Sequence, residues 1–205
     1  MNAGVTAERI YDALKAHLLG GAVLPGERLE PAAFAELLGS SVTPIRDALH
    51  RLAGEHIVEM RSTEGFLLPI VTELALRDLL AWNADLLRLA LRHGRPNETS
   101  SSLRLAASDY PPGIRALFGT IAAGADNAEI ARHVEAASDR LTPARIAERR
   151  LSGSSDEGHL EDELAELATL VARRDPGPIA RWIAAYHRQR IQRVPAIVQA
   201  MYRPA

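Results

Sequence analysis

Apolar residues recur at helical spacing along most of the chain, and the pattern changes to short strands only near residues 57–68. Ile10, Leu14 and Leu18 follow one another at four-residue intervals, which predicts an amphipathic helix over residues 7–19. A second short helix is predicted over residues 31–38, where it is closed by a glycine. The segment between these two helices, residues 24–29, contains Pro-Gly and is expected to form a turn.

The stretch Ser40–Leu52 is predicted to be a short loop followed by a helix with two different faces. Thr43 is a candidate N-cap, and Pro44 suits the first helical position because its missing N–H would have no helical partner there. One face is apolar and comprises Ile45, Ala48, Leu49 and Leu52. The other carries Thr43, Arg46 and His50. Such a helix suits a DNA major groove, where arginine can contact guanine, although an ordinary surface helix has the same pattern.

The segment after this helix favours DNA binding over an ordinary surface helix. Strands are predicted over Ile57–Met60 and Phe66–Leu68, with Arg61–Gly65 as the turn between them. Three helices followed by a two-stranded hairpin is the order of a winged helix-turn-helix. Gly65 is expected at the tip of the wing, where a bare backbone can approach a phosphate.

No strand pattern follows residue 70, so residues 72–205 are predicted to form an all-helical domain after a winged helix-turn-helix domain over residues 1–71. Helices are expected over residues 74–93, 103–108, 111–123, 127–150, 160–174 and 179–202. Residues 94–101 and 152–158 are expected to be loops. Pro143 and Pro195 are expected to kink or interrupt their helices. The fold class is therefore mainly α.

Composition limits the possible functions. The chain has no cysteine, which excludes disulfides and thiolate zinc sites. It has no run of 18 apolar residues and its N-terminus lacks the pattern of a signal peptide, so we expect a cytoplasmic protein without membrane contact. Residues 1–72 contain six basic and nine acidic side chains. This acidic balance predicts modest DNA affinity that depends on a second copy of the domain.

Residues 9–69 resemble the N-terminal domain of GntR transcription regulators of the FadR subfamily. The residues that carry the resemblance are Ile10–Leu14, Leu24–Leu29, Ala35–Gly39, Ser41, Thr43–Leu49, Arg51–Leu52 and Gly65–Phe66. In that family the residues that match Thr43 and Arg46 contact operator DNA, and Gly65 matches the glycine of the wing tip. The candidate DNA-contacting residues are Ser41, Thr43, Arg46, His50, Arg51 and Gly65.

This chain departs from the family pattern at two positions. Val42 stands where the family usually has arginine, and Glu64 stands in a wing that is usually basic. Both changes remove positive charge from the expected DNA-facing surface, which affects the expected operator sequence and binding strength.

The second domain resembles the FCD effector-binding domain of the same subfamily, through Leu76–Leu80, Ile121–Asn127 and Arg173–Pro176. Many FCD domains bind a divalent metal through one Asp and three His, and the metal holds a carboxylate effector. The matching positions in this chain are Ile114, Phe118, Leu164 and Tyr186. None of these suits a transition metal, so we expect no metal cofactor, with His187 as the nearest alternative ligand.

An effector could instead be held by hydrogen bonds and packing. The candidate effector-binding residues are Trp82, Asn83, His133, Tyr186 and Arg190. Each has a competing structural interpretation: the aromatic residues as packing, and His133 and Arg190 as solvated side chains. Asn83 stands where the family often has arginine.

The resemblance implies a bacterial transcription regulator that is a homodimer, binds a palindromic operator in double-stranded DNA and responds to a small carboxylate metabolite. The alternative is a regulator or interaction module whose helical domain only dimerises and has lost effector sensing. An enzyme is not expected, because the chain has no His-x-x-x-His pair, no glycine-rich phosphate loop and no nucleophile elbow.

Overall fold

The computed structural model describes residues 3–94 and 110–203, except for the side chains of residues 3–6 and 153–157. The predicted helix over 103–108 and most of the predicted loop over 94–101 therefore lie outside the described residues. The chain divides into two units. Unit 1 extends to Val71 and includes the residues from Met201 onward, and unit 2 is Thr72–Ala200.

The C-terminal residues were expected in the second domain, but they pack with unit 1. The Tyr202 hydroxyl donates to the carbonyl oxygen of Val71 at 3.1 Å and accepts from the N–H of the same residue at 3.0 Å. Its phenol therefore satisfies both backbone groups of Val71, a residue that has no helical or strand partner.

Unit 1 contains three helices and a small sheet. Its elements are α1 (Ala3–Leu19), β1 (Arg28–Leu29), α2 (Pro31–Leu37), α3 (Val42–Gly54), β2 (Glu59–Arg61) and β3 (Gly65–Leu67). The sheet is antiparallel with strand order β1-β3-β2, so the predicted two-stranded hairpin has a third strand. The prediction of residues 24–29 as a turn alone was wrong, because a strand of two residues has no alternating pattern to reveal it.

Helix α3 begins two residues earlier than its capping pattern suggested. The N-cap is Ser41, whose side chain makes no capping hydrogen bond. Thr43 therefore lies within the first turn and is not the cap, and Pro44 occupies the third helical position. Proline is tolerated there because the first-turn N–H groups have no helical acceptor. The predicted apolar face is confirmed: Ile45, Leu49 and Leu52 are fully buried.

Unit 2 is helical over its described residues, apart from one isolated bridge between Gly94 and Ala125. Its helices are α4 (Glu73–His93), α5 (Tyr110–Ala123), α6 (Ala128–Arg173) and α7 (Pro176–Met201). No helix among the described residues is long and apolar enough to cross a lipid bilayer.

Helix α6 joins two segments that were predicted to be separate. The loop expected over residues 152–158 is wrong, because α6 continues without interruption for 46 residues. A glycine in a helix costs only about 1 kcal/mol and a serine less, so buried apolar residues on either side can maintain the helix. Leu141 and Ala147 precede the segment, and Leu160 and Leu164 follow it, all of them buried. Pro143 and Pro195 likewise lie inside continuous helices.

Gly113 and Gly119 of α5 provide a matched test of packing in unit 2. A Cβ atom on Gly113 would lie 2.7 Å from Cδ2 of buried Leu164, whereas a Cβ on Gly119 would have no neighbour within 4 Å. Both Gly→Ala changes favour the helix, but only the first overfills the core. We expect Gly113→Ala to be less stable than Gly119→Ala by about 1–3 kcal/mol in denaturant melts. Equal stability of the two variants would show that Leu164 moves aside freely.

Candidate DNA-binding surface and buried polar network

The exposed face of α3 carries most of the predicted DNA-contacting residues. Ser41, Thr43, Arg46 and His50 are all solvent-exposed. Arg46 has no ion pair or hydrogen bond with the residues that the structure describes, so its guanidinium group is free for a ligand. The imidazole of His50 packs edge-on against Phe66, with ring centroids 4.9 Å apart. This contact places the start of β3 beside the exposed face of α3.

Arg51, a predicted DNA-contacting residue, is engaged by side chains of helix α1. Its Nη1 donates to Glu8 at 2.8 Å, and its guanidinium carbon lies 3.7 Å from the ring centroid of Tyr11. Nearby, Glu55 accepts hydrogen bonds from the Tyr11 hydroxyl at 2.5 Å and from Lys15 at 2.8 Å. Burial and the bond to Glu55 raise the pKa of Tyr11. Arg51 therefore joins α3 to α1, and its position on the helix differs from that of Arg46.

The wing has the predicted glycine but little free positive charge. Gly65 opens β3 with φ of 78°, a conformation that favours glycine, and a Cβ there would meet nothing within 4 Å. Arg61 pairs with Glu59 at 2.9 Å and with Glu64 at 3.5 Å. These carboxylates neutralise the one arginine of the hairpin, so the wing offers a close backbone approach without a free cation.

Sequence reasoning missed Arg9 as a candidate for the same surface. Arg9 is exposed on α1 and makes no ion pair within the described part of the chain. With Ser41 and Pro44 it lines a recess that opens to solvent beside the start of α3. Only the three-dimensional arrangement brings α1 to this position, because the two segments lie more than 30 residues apart in the sequence.

In unit 2, the four positions that the predicted FCD resemblance aligns with metal ligands lie in one apolar core. Ile114, Phe118, Leu164 and Tyr186 are buried together in this core, and the rings of Phe118 and Tyr186 are 5.6 Å apart. The described residues contain no group of three or more His, Asp or Glu side chains that could hold a metal. The polar chemistry in the interior of unit 2 therefore belongs to residues other than these four positions.

The five candidate effector residues separate into two groups. Trp82 is 50% exposed and lies beside exposed His133, with ring centroids 6.5 Å apart, so this pair is on the surface. Asn83, Tyr186 and Arg190 are buried. The structure therefore does not bring all five together, and only the buried three belong to the interior of unit 2.

Tyr110, Tyr186 and Glu148 form a buried hydrogen-bond relay with a definite direction. The Tyr110 hydroxyl donates to Glu148 Oε2 at 2.9 Å and lies 3.0 Å from the Tyr186 hydroxyl. Because Tyr110 has used its only proton on Glu148, Tyr186 must donate to Tyr110. The Tyr186 oxygen in turn accepts from Arg145 Nε at 3.3 Å. The relay thus runs from Arg145 to Glu148 through two phenols, and burial raises the pKa of Tyr110 well above its usual value.

Arg190 is a structural member of this network, not a solvated side chain. It donates to Glu148 at 3.2 Å, to Glu163 at 2.5 Å and to the Tyr110 hydroxyl at 3.1 Å. Arg193 adds a second cation to Glu148 at 3.3 Å. Burial lowers the pKa of Arg190, but the neighbouring Tyr186 and Tyr110, together with Glu163 and Glu148, outweigh burial and raise the pKa above its already high value.

The network was not predicted, although the sequence contains a signal. Arg145, Glu148 and Ser152 continue the stripe of buried positions that starts at Val134 and Leu141 on α6. Charged residues at such core spacing indicate buried polar partners, because charges are almost never buried unless paired.

His187 connects α7 to α4 through Asn83. Its Nδ1 lies 2.8 Å from the carbonyl oxygen of Ile183, and its Nε2 lies 3.0 Å from Oδ1 of Asn83. Burial, together with the positive charges of Arg145 and Arg190, lowers the pKa of His187 to about 3. The neutral ring has one N–H, which donates to the carbonyl of Ile183. Nε2 then accepts a hydrogen bond from Asn83 when the amide is turned so that its Nδ2, which has no partner among the described residues, replaces Oδ1.

Comparisons with known proteins agree with this geometry. Residues 6–68 match the family "Bacterial regulatory proteins, gntR family". The curated regulator McbR of Escherichia coli (strain K12) is 33% identical over 85 residues, which cover 40% of this chain and 38% of McbR. The aligned part therefore spans well under half of that relative. The family match lies within unit 1 and covers the three helices and the small sheet.

Two solved structures share the fold over nearly the whole chain. E. coli McbR/YncC has a TM-score of 0.63 at 19% identity, covering 92% of this chain and 96% of that one. A putative GntR transcriptional regulator from Rhodococcus sp. RHA1 has a TM-score of 0.70 at 13% identity, covering 93% and 98%. The predicted fold class, a winged helix-turn-helix followed by a helical domain, is confirmed.

The neutral state of buried His187 predicts a loss of stability in acid. The unfolded chain binds a proton on this histidine below about pH 6.5, whereas the folded chain does so only near pH 3. Stability is therefore complete above pH 6.5 and falls as pH decreases toward 3, by up to about 1.4 kcal/mol per pH unit.

Denaturant melts between pH 7 and pH 4.5 measure this slope. The variant His187→Gln keeps hydrogen-bonding groups but does not titrate, so its slope should be smaller than that of the wild type. His93→Gln is the control, since His93 is exposed at the end of α4. Equal slopes for His187→Gln and the wild type would contradict the assignment.

Proposed function

We propose that the protein is a dimeric bacterial transcription regulator that binds a palindromic operator through α3 and the wing. The observation that carries this proposal is the exposed Thr43, Arg46 and His50 face of α3, with a free guanidinium on Arg46, in a gntR-type domain. Arginine can contact both acceptors of guanine in the major groove, and threonine can reach a phosphate or a base edge. Ser41 and Gly65 would add backbone-phosphate contacts.

A dimer is supported by the charge of unit 1. Six basic against nine acidic side chains in residues 1–72 leave a weak electrostatic attraction to DNA for one copy. Two linked copies would place two recognition helices about one DNA turn apart, ~34 Å, and gain affinity by simultaneous binding. McbR, the curated relative, is named an HTH-type transcriptional regulator, which agrees with this role.

We further propose that unit 2 is an FCD-type domain of the FadR subfamily that responds to a small carboxylate without a metal. The apolar side chains at Ile114, Phe118 and Leu164 offer no metal ligands, whereas the buried arginines of unit 2 suit an anion. Effector binding would act by favouring one arrangement of the two DNA-binding units in a dimer. The filled apolar positions also support the alternative, in which unit 2 only dimerises.

Arg46→Ala tests the DNA-binding role directly. We expect it to weaken binding to DNA upstream of the protein's own gene by about 5- to 150-fold in gel shifts, the effect of one base contact. The melting temperature should not change, because Arg46 is exposed and has no partner within the described part of the chain. Arg77→Ala is the control, since Arg77 lies on α4 and pairs with Glu73. Absence of binding by the folded wild-type protein at low salt would overturn the proposal.

Val42→Arg tests whether the missing charge limits DNA affinity. Val42 is 37% exposed at the first position of α3. An arginine there can neutralise one more phosphate, so binding should tighten by roughly 3- to 10-fold and the salt dependence should steepen by about one unit in the log–log slope. Val42→Gln, which adds polarity without charge, should leave the slope unchanged. A steeper slope in the glutamine variant would argue against an effect of charge.

A further inference from the structure

Arg145 is a buried cation without a counterion. Its side chain is 3% exposed, and no carboxylate of the described residues forms an ion pair with it. Its Nε and Nη1 donate to the Tyr186 hydroxyl and to the carbonyl of Ser138, at 3.3 Å and 3.2 Å. Its Nη2 is buried and has no hydrogen-bond partner in the described part of the chain. Arg190, which is buried as well, pairs with two carboxylates, so Arg145 differs from it.

The surroundings of Arg145 provide a second donor and an apolar wall. The hydroxyl of Ser138 is also buried without a partner among the described residues, and it belongs to the residue whose carbonyl accepts from Arg145. The guanidinium carbon lies 5.4 Å from the ring centroid of Phe118, a residue of the apolar core. Two neighbouring side chains, Arg145 and Ser138, thus each carry an unused buried donor beside an apolar core.

The charges of the network favour one negative charge at this place. Among the described residues, the carboxylates of this network are those of Glu148 and Glu163. Both pair with Arg190, and Glu148 also pairs with Arg193, whose side chain is 30% exposed. The relay directs the proton of Tyr186 toward Tyr110, so Tyr186 presents only a lone pair to Arg145 and no negative charge. Arg145 is therefore the arginine of this network that has no direct carboxylate partner among the described residues.

We propose that Arg145 holds the carboxylate of a small monocarboxylic acid, with the Ser138 hydroxyl as a second donor. This inference rests on the proposed control of unit 2 by an effector and names the residue that would bind it. A monocarboxylate balances the charge of Arg145, and its remainder can pack against apolar side chains such as Phe118. A phosphate dianion would leave an uncompensated negative charge in the same core.

Arg145 is not needed to satisfy its neighbours. Without it, the carbonyl of Ser138 still accepts from the Thr142 hydroxyl at 3.1 Å, and Tyr186 still donates to Tyr110. An apolar residue of similar length would therefore remove a buried charge and leave no buried donor unpaired. If Arg145 were kept for stability alone, replacing it with such an apolar residue would lower the free energy of unfolding.

The test is the melting temperature of the full chain in acetate, butyrate, benzoate and succinate, with inorganic phosphate and chloride at equal ionic strength as comparisons. We expect at least one monocarboxylate to raise the melting temperature of the wild type by about 5 °C or more near saturation, beyond the effect of chloride. Arg145→Met should abolish this shift, and Ser138→Ala should reduce it. Arg150→Met is the matched control on α6, because Arg150 is exposed, and it should keep the full shift.

The same melts also separate a binding role from a structural one. Without ligand, Arg145→Met should melt at or above the temperature of the wild type, and a markedly lower value would overturn the proposal. It is also overturned if no monocarboxylate acts beyond chloride, if phosphate acts more strongly than every monocarboxylate, or if Arg145→Met retains the shift. Gel shifts of the wild type with DNA report separately on the regulator proposal, which can therefore fail or survive independently of this one.

Discussion

The burial of one face of α3 is the constraint on which unit 1 depends. Ile45, Leu49 and Leu52 are completely buried, and each fully buried side chain of this kind contributes about 1.5–3 kcal/mol. A rotation of α3 about its axis would expose them, so their packing fixes which side chains face solvent. Arg46 follows Ile45 at about 100° around the helix axis, which places it on the exposed side. Arg51 and Tyr11 then hold α3 against α1 from the side.

A different constraint governs the helical unit. Its interior contains Glu148 and two buried arginines, and moving such charges out of water costs several kcal/mol for each ion. The phenols of Tyr110 and Tyr186 connect these charges, and hydrogen bonds in such a chain can strengthen one another. The arrangement is specific because each of the two tyrosine hydroxyls can donate its proton to only one acceptor of the relay. It spans three helices, α5, α6 and α7, and so fixes their relative positions.

Local patterns in the sequence predicted the elements of unit 1 because its helices are amphipathic and its turns contain glycine. They did not reveal β1, whose two residues pair with a strand almost 40 positions later. The prediction of a loop within α6 was wrong for a related reason. Ser and Gly destabilise a helix less than the burial of Leu160 and Leu164 stabilises it.

The candidate sites were harder to predict than the fold. The exposed residues of α3 follow from one helical period, but the engagement of Arg51 by Glu8 depends on a contact across 43 positions. Arg145 and Glu148 were overlooked because their partners lie on other helices, and only the position of a charge within an apolar stripe hinted at burial.

The paired charges of the wing have a consequence for how such a protein would search a genome. Arg61 is occupied by Glu59 and Glu64, so fewer phosphates can be neutralised at sites of any sequence. Non-specific binding to chromosomal DNA depends almost wholly on the neutralisation of phosphate charges, whereas recognition of an operator adds contacts with bases. A weakly charged wing therefore shortens each unproductive encounter and raises the ratio between operator and background occupancy.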